Sequence, residues 1–401
     1  MPWDLLGIIG TGQSLSVGVQ GLPVLPGSRA DGHFQLTLAD ALGALDAEDQ
    51  RLSLTPLREP LRELARGYPA PYPLNIYGQT PHTSMALQIS ALCRAQLSRD
   101  CATVHSVVGE SGMALRAIER DAVPTRDTGH AWAASLFEAR AVARLARARG
   151  QSFGVGAIVL THGESDAERA DYAEGLRRLW RDYNADFSAI TGQSQTIVLL
   201  LTQQSSAPAE PRSVSASTLA AWQVARESNG DVVCVGPRYQ YAYDHDHIHL
   251  TAQGYAQLGE KYGQVFFEHV IQGRSFRPLE PIAVERRGAA VVIRFHVPIG
   301  PLRWDESLAA PGYDRGFQLL RDGTAVPLAT VELEGTDTVV LTPREAEPGP
   351  FVVRYALSAR TPRLGGTVRS GQLCDSDPFV GAHTGAPQPN YAVSFELHVT
   401  P

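Results

Sequence analysis

A serine near the start of the chain stands where a nucleophile could act. Ser14 ends the segment 10–14 (GTGQS), which follows the apolar run Leu5–Gly10. A glycine-containing turn after a buried strand exposes a serine hydroxyl at the sheet edge and can turn the serine N–H toward an oxyanion. A turn that only caps the next helix would have the same composition, so this segment alone leaves both interpretations open.

A second group of reactive side chains surrounds residue 249, where three histidines and two aspartates occur within residues 244–249. A serine nucleophile needs a histidine base, and that base needs a carboxylate that fixes its tautomer. Asp246 and His249, three residues apart before a predicted helix start, can meet that need. If the segment were a strand, His245, His247 and His249 would share one face and permit a zinc site. Because the chain offers no second ligand cluster, we expect no metal.

Two further strand ends carry residues that could contribute to the same site. The segment 162–166 (HGESD) follows one apolar run, and Gly109 ends another. Ser165 or Asp166 could instead only cap the next helix. Sites of open α/β sheets lie at the carboxyl ends of the strands, so we expect these segments to lie near Ser14.

Taken in order, these segments resemble the SGNH (GDSL-like) hydrolase superfamily, and within it the branch of sialate O-acetylesterases and acetylxylan esterases. The similar segments are Gly12-Gln13-Ser14, His162-Gly163-Glu164-Ser165-Asp166, and Asp246-x-x-His249 with the following Leu-Thr-x-x-Gly-Tyr. The resemblance covers residues 1 to about 272. It implies that Ser14 is the nucleophile, that His249 is the general base and then acid, and that Asp246 orients His249.

The same resemblance implies an oxyanion hole. Its donors would be the N–H groups of Ser14 and Gly109 and a side chain at position 162. That branch has glutamine at this position, whereas this chain has His162, and a neutral imidazole can also donate one N–H. Gln13 and Glu164 are assigned to the oxyanion and substrate-binding region on the same basis, with Glu164 supporting its loop.

The elements that must position these residues alternate along the first part of the chain. Near-continuous apolar runs predict strands buried on both faces, as parallel sheets require. The five runs are Leu5–Gly10, Val104–Gly109, Val155–Thr161, Thr196–Thr202 and Val232–Gly236. Residues at helical spacing lie between them, in Ser84–Arg99, in Ala131–Arg149 and in a core-facing stripe from Tyr172 to Phe187.

This alternation predicts an α/β domain with a doubly wound parallel sheet of five strands. The resemblance implies the flavodoxin-like form of that sheet found in SGNH hydrolases. Segment 19–80 is rich in proline and glycine and is expected to form long loops over the sheet edge.

The pattern changes after an expected linker at 278–281. Short β-branched segments separated by turn residues predict an all-β sandwich. We therefore divide the chain into an α/β esterase domain at 1–276 and a sandwich domain at 277–401. Segments 300–305 and 375–378 resemble the sandwich appended to some of these esterases, which implies a stabilising lid or a carbohydrate-binding module.

Composition disfavours several function classes. The 401 residues carry a formal net charge of −7, and neither half is basic, so binding of nucleic acid or of anionic membranes is disfavoured. No apolar run is long enough to span a membrane. Four cysteines without paired spacing predict buried thiols rather than a disulfide framework or a zinc site. No signal segment is evident, so we expect a cytoplasmic or phage-associated protein.

The sequence thus predicts a serine carbohydrate esterase that needs no cofactor and removes O-acetyl groups from an acetylated glycan through an acyl-enzyme intermediate. One alternative is a lipase or thioesterase that uses the same triad on longer acyl esters. Such an enzyme would need a long apolar cleft, whereas segment 19–80 has many polar, proline and glycine positions. The other is a virion-associated or non-enzymatic glycan-binding protein that retains the fold. The filled triad positions argue against it.

Overall fold

A seven-stranded sheet forms the centre of the first part of the chain. A computed structural model describes residues 3–37, 46–61, 72, 78–125, 128–207, 215–308, 314–346, 348–358 and 367–399. The first eight strands are β1 (Leu5–Gly12), β2 (Arg29–Thr37), β3 (Ser53–Arg58), β4 (Thr103–Val107), β5 (Phe153–Thr161), β6 (Val198–Gln203), β7 (Ser206–Ala207) and β8 (Val232–Pro237). All except β7 belong to this sheet, in the order β3-β2-β4-β1-β5-β6-β8.

The five predicted strands lie side by side in this sheet as β4-β1-β5-β6-β8, and all are parallel. Every residue of β1, β5 and β8 is buried, because helices cover both faces of the sheet. Their continuous apolar sequences therefore predicted them correctly.

Two strands were not predicted, and the sheet is mixed rather than purely parallel. β2 is parallel to β4 and antiparallel to β3, and both β2 and β3 lie within the segment expected to form loops. β2 contains five polar residues and is exposed in part, and β3 carries Pro56, which an edge strand tolerates. Neither strand therefore has the apolar run of a central parallel strand.

Helices cover both faces of this sheet. They are α1 (Pro81–Leu97), α2 (Ala131–Ala148), α3 (Tyr172–Thr191), α4 (Ala216–Glu227) and α5 (Ala252–Phe266). Alternate residues of β1 enter separate cores: Leu5 and Ile9 join the core of α2, α3 and α4, whereas Leu6 and Ile8 join the core of α1 and α5. The prediction of an α/β layer with helices on both faces is confirmed.

The C-terminal part consists of β strands and contains no helix among its described residues. The strands are β9 (Glu280–Arg287), β10 (Ala290–His296), β11 (Arg303–Trp304), β12 (Phe317–Arg321), β13 (Thr324–Val326), β14 (Leu328–Glu334), β15 (Thr338–Pro343), β16 (Phe351–Tyr355), β17 (Thr367–Val368), β18 (Leu373–Cys374) and β19 (Phe395–Val399). Two four-stranded antiparallel sheets, β14-β15-β10-β9 and β13-β12-β16-β19, account for most of them. Their apolar faces meet, with the rings of Phe295 and Phe395 centred 6.0 Å apart.

The division of the chain between residues 276 and 277 stays a prediction. The expected linker at 278–281 is wrong in part, because β9 already begins at Glu280. The C-terminal part also contacts the first part closely. Glu260 of α5 accepts the backbone N–H groups of His383 and Thr384 at 2.7 and 2.6 Å, and Lys261 Nζ donates to the Gln388 carbonyl at 3.0 Å. The two parts are therefore joined by buried charged groups as well as by apolar contacts.

Two of the four cysteines form a disulfide, which corrects the expectation of four thiols. Cys93 lies near the end of α1 and Cys101 just before β4, and they are bonded to each other. The chain reverses at Ser98, whose φ is +51°, and this turn brings the two Cα atoms to 6.4 Å. Cys234 and Cys374 are buried thiols, as predicted. Within the described ranges, no helix is long and apolar enough to cross a membrane.

Candidate active site

Ser14 begins a short 3-10 turn, Ser14–Val17, directly after β1. The turn requires glycine at position 12. The φ of Gly12 is +136°, and a Cβ introduced by any other residue would lie 2.1 Å from the Thr161 carbonyl oxygen. Ser14 is 7% exposed, so this residue is almost completely shielded from solvent at the carboxyl edge of the sheet. The Ser14 N–H donates to no acceptor in the described part of the chain, which leaves it available to a ligand.

His249 and Asp246 meet Ser14 across this edge. The Ser14 hydroxyl lies 2.7 Å from His249 Nε2, and His249 Nδ1 lies 2.6 Å from Asp246 Oδ2. The other carboxylate oxygen, Oδ1, accepts the backbone N–H groups of Ile248 and His249, both at 2.9 Å. The three side chains predicted from the sequence are therefore brought together in one hydrogen-bonded chain.

The charge of Asp246 fits this arrangement. Burial tends to raise the pKa of Asp246, but the hydrogen bonds from the His249 side chain, the His249 N–H and the Ile248 N–H outweigh it and hold the pKa below its ordinary value. An ionised carboxylate accepts a hydrogen bond from Nδ1–H of a neutral imidazole, which fixes the tautomer in which Nε2 is free to accept the serine proton. The arrangement can activate Ser14 as a nucleophile.

The turn that carries His249 is fixed at both ends. Tyr243 and Leu250 form an isolated antiparallel bridge, and the Thr251 hydroxyl caps α5 by accepting the Gly254 N–H at 3.2 Å. Residues 244–249 therefore form a turn rather than a strand. The alternation that would place the three histidines on one face for zinc does not occur.

The two other histidines of this turn have different surroundings. His245 is exposed, and its hydrogen bond with Asp244 at 3.0 Å raises its pKa. His247 adopts the left-handed conformation, with φ of +57°. No group of three or more histidine, cysteine or acidic side chains suited to a metal ion occurs in the part of the chain that the structure describes.

The Gln13 side chain and the Gly109 backbone both make close contacts around the turn that carries Ser14. Gln13 Oε1 accepts the N–H groups of Gly163 and Ser165 at 3.4 and 3.3 Å, so this side chain ties the loop 162–166 to the serine turn. Gly109 lies just beyond β4, and a Cβ there would be 1.8 Å from Ser16 Oγ and 2.9 Å from the Gly12 carbonyl oxygen. Only glycine lets this backbone approach the serine turn so closely.

His162 does not have the surroundings predicted for an oxyanion donor. Its buried ring stacks on Tyr172, with Nδ1 2.8 Å from the tyrosine hydroxyl and Nε2 3.0 Å from the Met113 carbonyl oxygen. Burial lowers the pKa of His162, so the ring is neutral with a single N–H. The Met113 carbonyl must accept a hydrogen bond from that N–H, and Nδ1 then accepts a hydrogen bond from the Tyr172 hydroxyl. The ring as placed has no donor for a substrate, which corrects this part of the prediction.

Glu164 is paired with a residue that sequence reasoning missed. Glu164 Oε1 lies 2.6 Å from Nη2 of Arg238, a fully buried arginine directly after β8. The same Nη2 also donates to the His162 carbonyl oxygen, and Arg238 Nε donates to the Gln203 carbonyl oxygen, both at 3.4 Å. A signal was present in the sequence, because Arg238 follows the last apolar run and so lies at the same sheet edge.

No family model matches this chain, and no curated protein does either. Among solved structures, the chain is similar to a carbohydrate acetylesterase from Xanthomonas citri, with 15% identity, 98% of this chain and 80% of that chain covered, and a TM-score of 0.57. A weaker likeness is to NanS, with 12% identity, 68% of this chain and 99% of that chain covered, and a TM-score of 0.44. Another is to a carbohydrate acetylesterase from Sinorhizobium meliloti, with 12% identity, 65% of this chain and 97% of that chain covered, and a TM-score of 0.31. At these identities the first likeness shows that the chain has the fold of a carbohydrate esterase.

Proposed function

We propose that this protein is a serine esterase that removes O-acetyl groups from carbohydrates. The observation that carries the proposal is the hydrogen-bonded chain from Ser14 through His249 to Asp246 at the carboxyl edge of the sheet. The fold shared with the Xanthomonas citri carbohydrate acetylesterase supports the substrate class. We also assign the chain to the SGNH hydrolases on its three sequence segments.

In the proposed reaction, Ser14 Oγ attacks the acetyl carbonyl carbon while His249 Nε2 takes the serine proton. The tetrahedral oxyanion accepts a hydrogen bond from the Ser14 N–H, and the resemblance assigns the Gly109 N–H as a second donor. His249 then returns its proton to the sugar oxygen, which leaves as a hydroxyl and gives acetyl-Ser14. Each oxyanion donor is worth about 3 kcal/mol in the transition state.

The acyl-enzyme is hydrolysed by the same groups. Water loses a proton to His249 Nε2 and attacks the acetyl carbonyl carbon, and the second tetrahedral intermediate expels the serine oxygen. His249 returns the proton to Ser14, and acetate is released. Throughout both steps Asp246 holds the imidazole in the required tautomer and stabilises its charged form.

The test measures acetate release from acetylated glycans and hydrolysis of p-nitrophenyl esters of increasing chain length. We expect release of acetate and a preference for the acetate ester over the octanoate. Ser14→Ala is expected to lower kcat by about four orders of magnitude or more without unfolding the protein, and Thr11→Ala, at the end of the same strand, is the matched control. A preference for the octanoate would favour a lipase, and near-normal activity in Ser14→Ala would exclude this mechanism.

A further inference from the structure

A buried arginine from the C-terminal part, Arg369, lies at the carboxyl edge of the seven-stranded sheet. Its backbone N–H donates to the Ser205 carbonyl oxygen, and its Nη1 donates to the Ser206 carbonyl oxygen, both at 2.7 Å. Val368 pairs with Ser206 in the ladder between β17 and β7. Because both serines closely follow β6, these contacts place Arg369 at the edge where Ser14 is also found.

Among the described residues, the guanidinium of Arg369 has no acidic partner. The residue is 3% exposed, and in the described structure no carboxylate forms an ion pair with it. Its Nε and Nη2 likewise donate no hydrogen bond to the described residues. Burial lowers the pKa of Arg369, and the phenol of Tyr243 is the group that counters this effect. A buried charge without a counter-ion is costly, so the arrangement indicates a position for an anion.

Other polar atoms without partners lie around the phenol of Tyr243. Arg238, Glu164 and Arg369 all act electrostatically on this phenol. A hydrogen bond with the Ser205 side chain also acts on this phenol. The buried atoms that make no hydrogen bond within the described ranges include Ser206 Oγ, Arg238 Nη1 and Glu164 Oε2. Buried polar atoms in native proteins are nearly always satisfied by protein, water or ligand. The cluster therefore has the donors and acceptors that a polar ligand needs.

This cluster is connected to the serine site at two points. Glu164 follows Gly163, whose N–H is bound by Gln13 beside Ser14. Tyr243 pairs with Leu250, which directly follows His249. Two segments thus run from the serine site to the polar groups around Tyr243.

We propose that Arg369, with the phenol of Tyr243 beside it, binds a carboxylate of the substrate, so that the enzyme prefers acidic acetylated sugars to neutral ones. This inference rests on the proposed esterase function. A guanidinium presents Nε–H and Nη2–H as a planar fork that matches a carboxylate, and these are the groups of Arg369 without partners in the described structure. The C-terminal domain would in this way contribute a specificity-determining residue to a site built by the first domain.

The test compares an O-acetylated methyl glucuronoside with the corresponding O-acetylated methyl glucoside. We expect wild-type protein to favour the glucuronoside in kcat/KM by about tenfold or more. Arg369→Gln is expected to remove this preference by raising KM for the glucuronoside rather than by lowering kcat, and Arg369→Lys to restore part of it. The control is Arg287→Gln, which changes an exposed arginine paired with Glu334, and it should keep the preference.

Equal kcat/KM of the wild type for the two sugars would overturn the inference, and this readout requires no variant to fold. A preference that survives in Arg369→Gln with an unchanged melting temperature would also overturn it. Faster turnover of an O-acetylated glucose 6-sulfate than of the glucuronoside would overturn the assignment of a carboxylate. If the wild type released acetate from neither sugar nor from p-nitrophenyl acetate, the esterase function itself would be refuted.

Discussion

Lowering the pH from about 6.5 to about 5 is expected to destabilise the fold through three buried histidines. His33 contacts the Thr103 hydroxyl at 2.6 Å, the same hydroxyl contacts His105 at 2.7 Å, and His105 Nδ1 lies 3.0 Å from His82 Nδ1. Burial lowers the pKa of His33 to about 4, that of His82 to about 3, and that of His105 well below its ordinary value. All three rings are therefore neutral in the folded protein.

The sign of the effect follows from these depressed pKa values. Below about pH 6.5 the unfolded chain takes up a proton at each histidine, whereas the folded chain does not, so stability falls as the pH falls. Over the interval down to about pH 5, His33 and His82 each contribute a loss of about 2 kcal/mol, and His105 adds to the loss in the same direction.

One buried carboxyl group acts in the opposite direction. Burial raises the pKa of Glu59 to about 8, and the hydroxyls of Thr80 and Thr83 offset this only in part. Folded Glu59 keeps its proton over this pH range while the unfolded chain releases it, so lowering the pH recovers about 2 kcal/mol. The net loss is therefore at least about 2 kcal/mol, a large share of the 5–15 kcal/mol typical of a folded domain.

Urea unfolding followed by circular dichroism at the two pH values measures this loss directly. The variant His33→Gln removes one titrating group and should reduce the pH-dependent loss by about 2 kcal/mol, whatever its effect on stability at the higher pH. Gln35→Ala, on the same strand, is the control and should keep the full dependence. An unfolding free energy that is equal or higher at about pH 5 would refute the reasoning.

Three further predictions concern the candidate site and are checked by steady-state kinetics with p-nitrophenyl acetate. His249→Ala should lower kcat by several orders of magnitude and His247→Ala by about tenfold or less; equal losses in two folded variants would show that the base is misassigned. Asp246→Asn should lower kcat by about four orders of magnitude because the imidazole loses its required tautomer, and a loss below about tenfold would exclude that role. Gly109→Ala should lower both kcat and the melting temperature because its Cβ would overlap Ser16 Oγ, and an unchanged kcat would remove Gly109 from the oxyanion hole.

The contact between Ser14, His249 and Asp246 could be predicted because its signals are local. Asp246 and His249 lie three residues apart in one turn, and Ser14 directly follows a buried strand. Parallel strands then bring distant segments to one edge, so the order of apolar runs was sufficient to place Ser14 near His249. The distances themselves required the structure.

The residues that sequence reasoning missed or misassigned depend on contacts between distant segments. Arg369 reaches the sheet edge only because the C-terminal part pairs with β7. His162 matches a donor position by sequence, yet Tyr172 and the Met113 carbonyl occupy its ring nitrogens. The bond between Cys93 and Cys101 depends on how tightly the chain turns after α1. Residue type and spacing do not determine contacts of this kind.

The interface between the two parts of the molecule contains the only lysine of the chain, Lys261. Its Nζ is buried and donates to Gln264, to the Gln388 carbonyl and to Asn390. The folded surface therefore offers no lysine amine to acylating reagents. Acylation of Lys261, located by mass spectrometry, would report opening of this interface, and its rate would measure how often the two parts separate in solution.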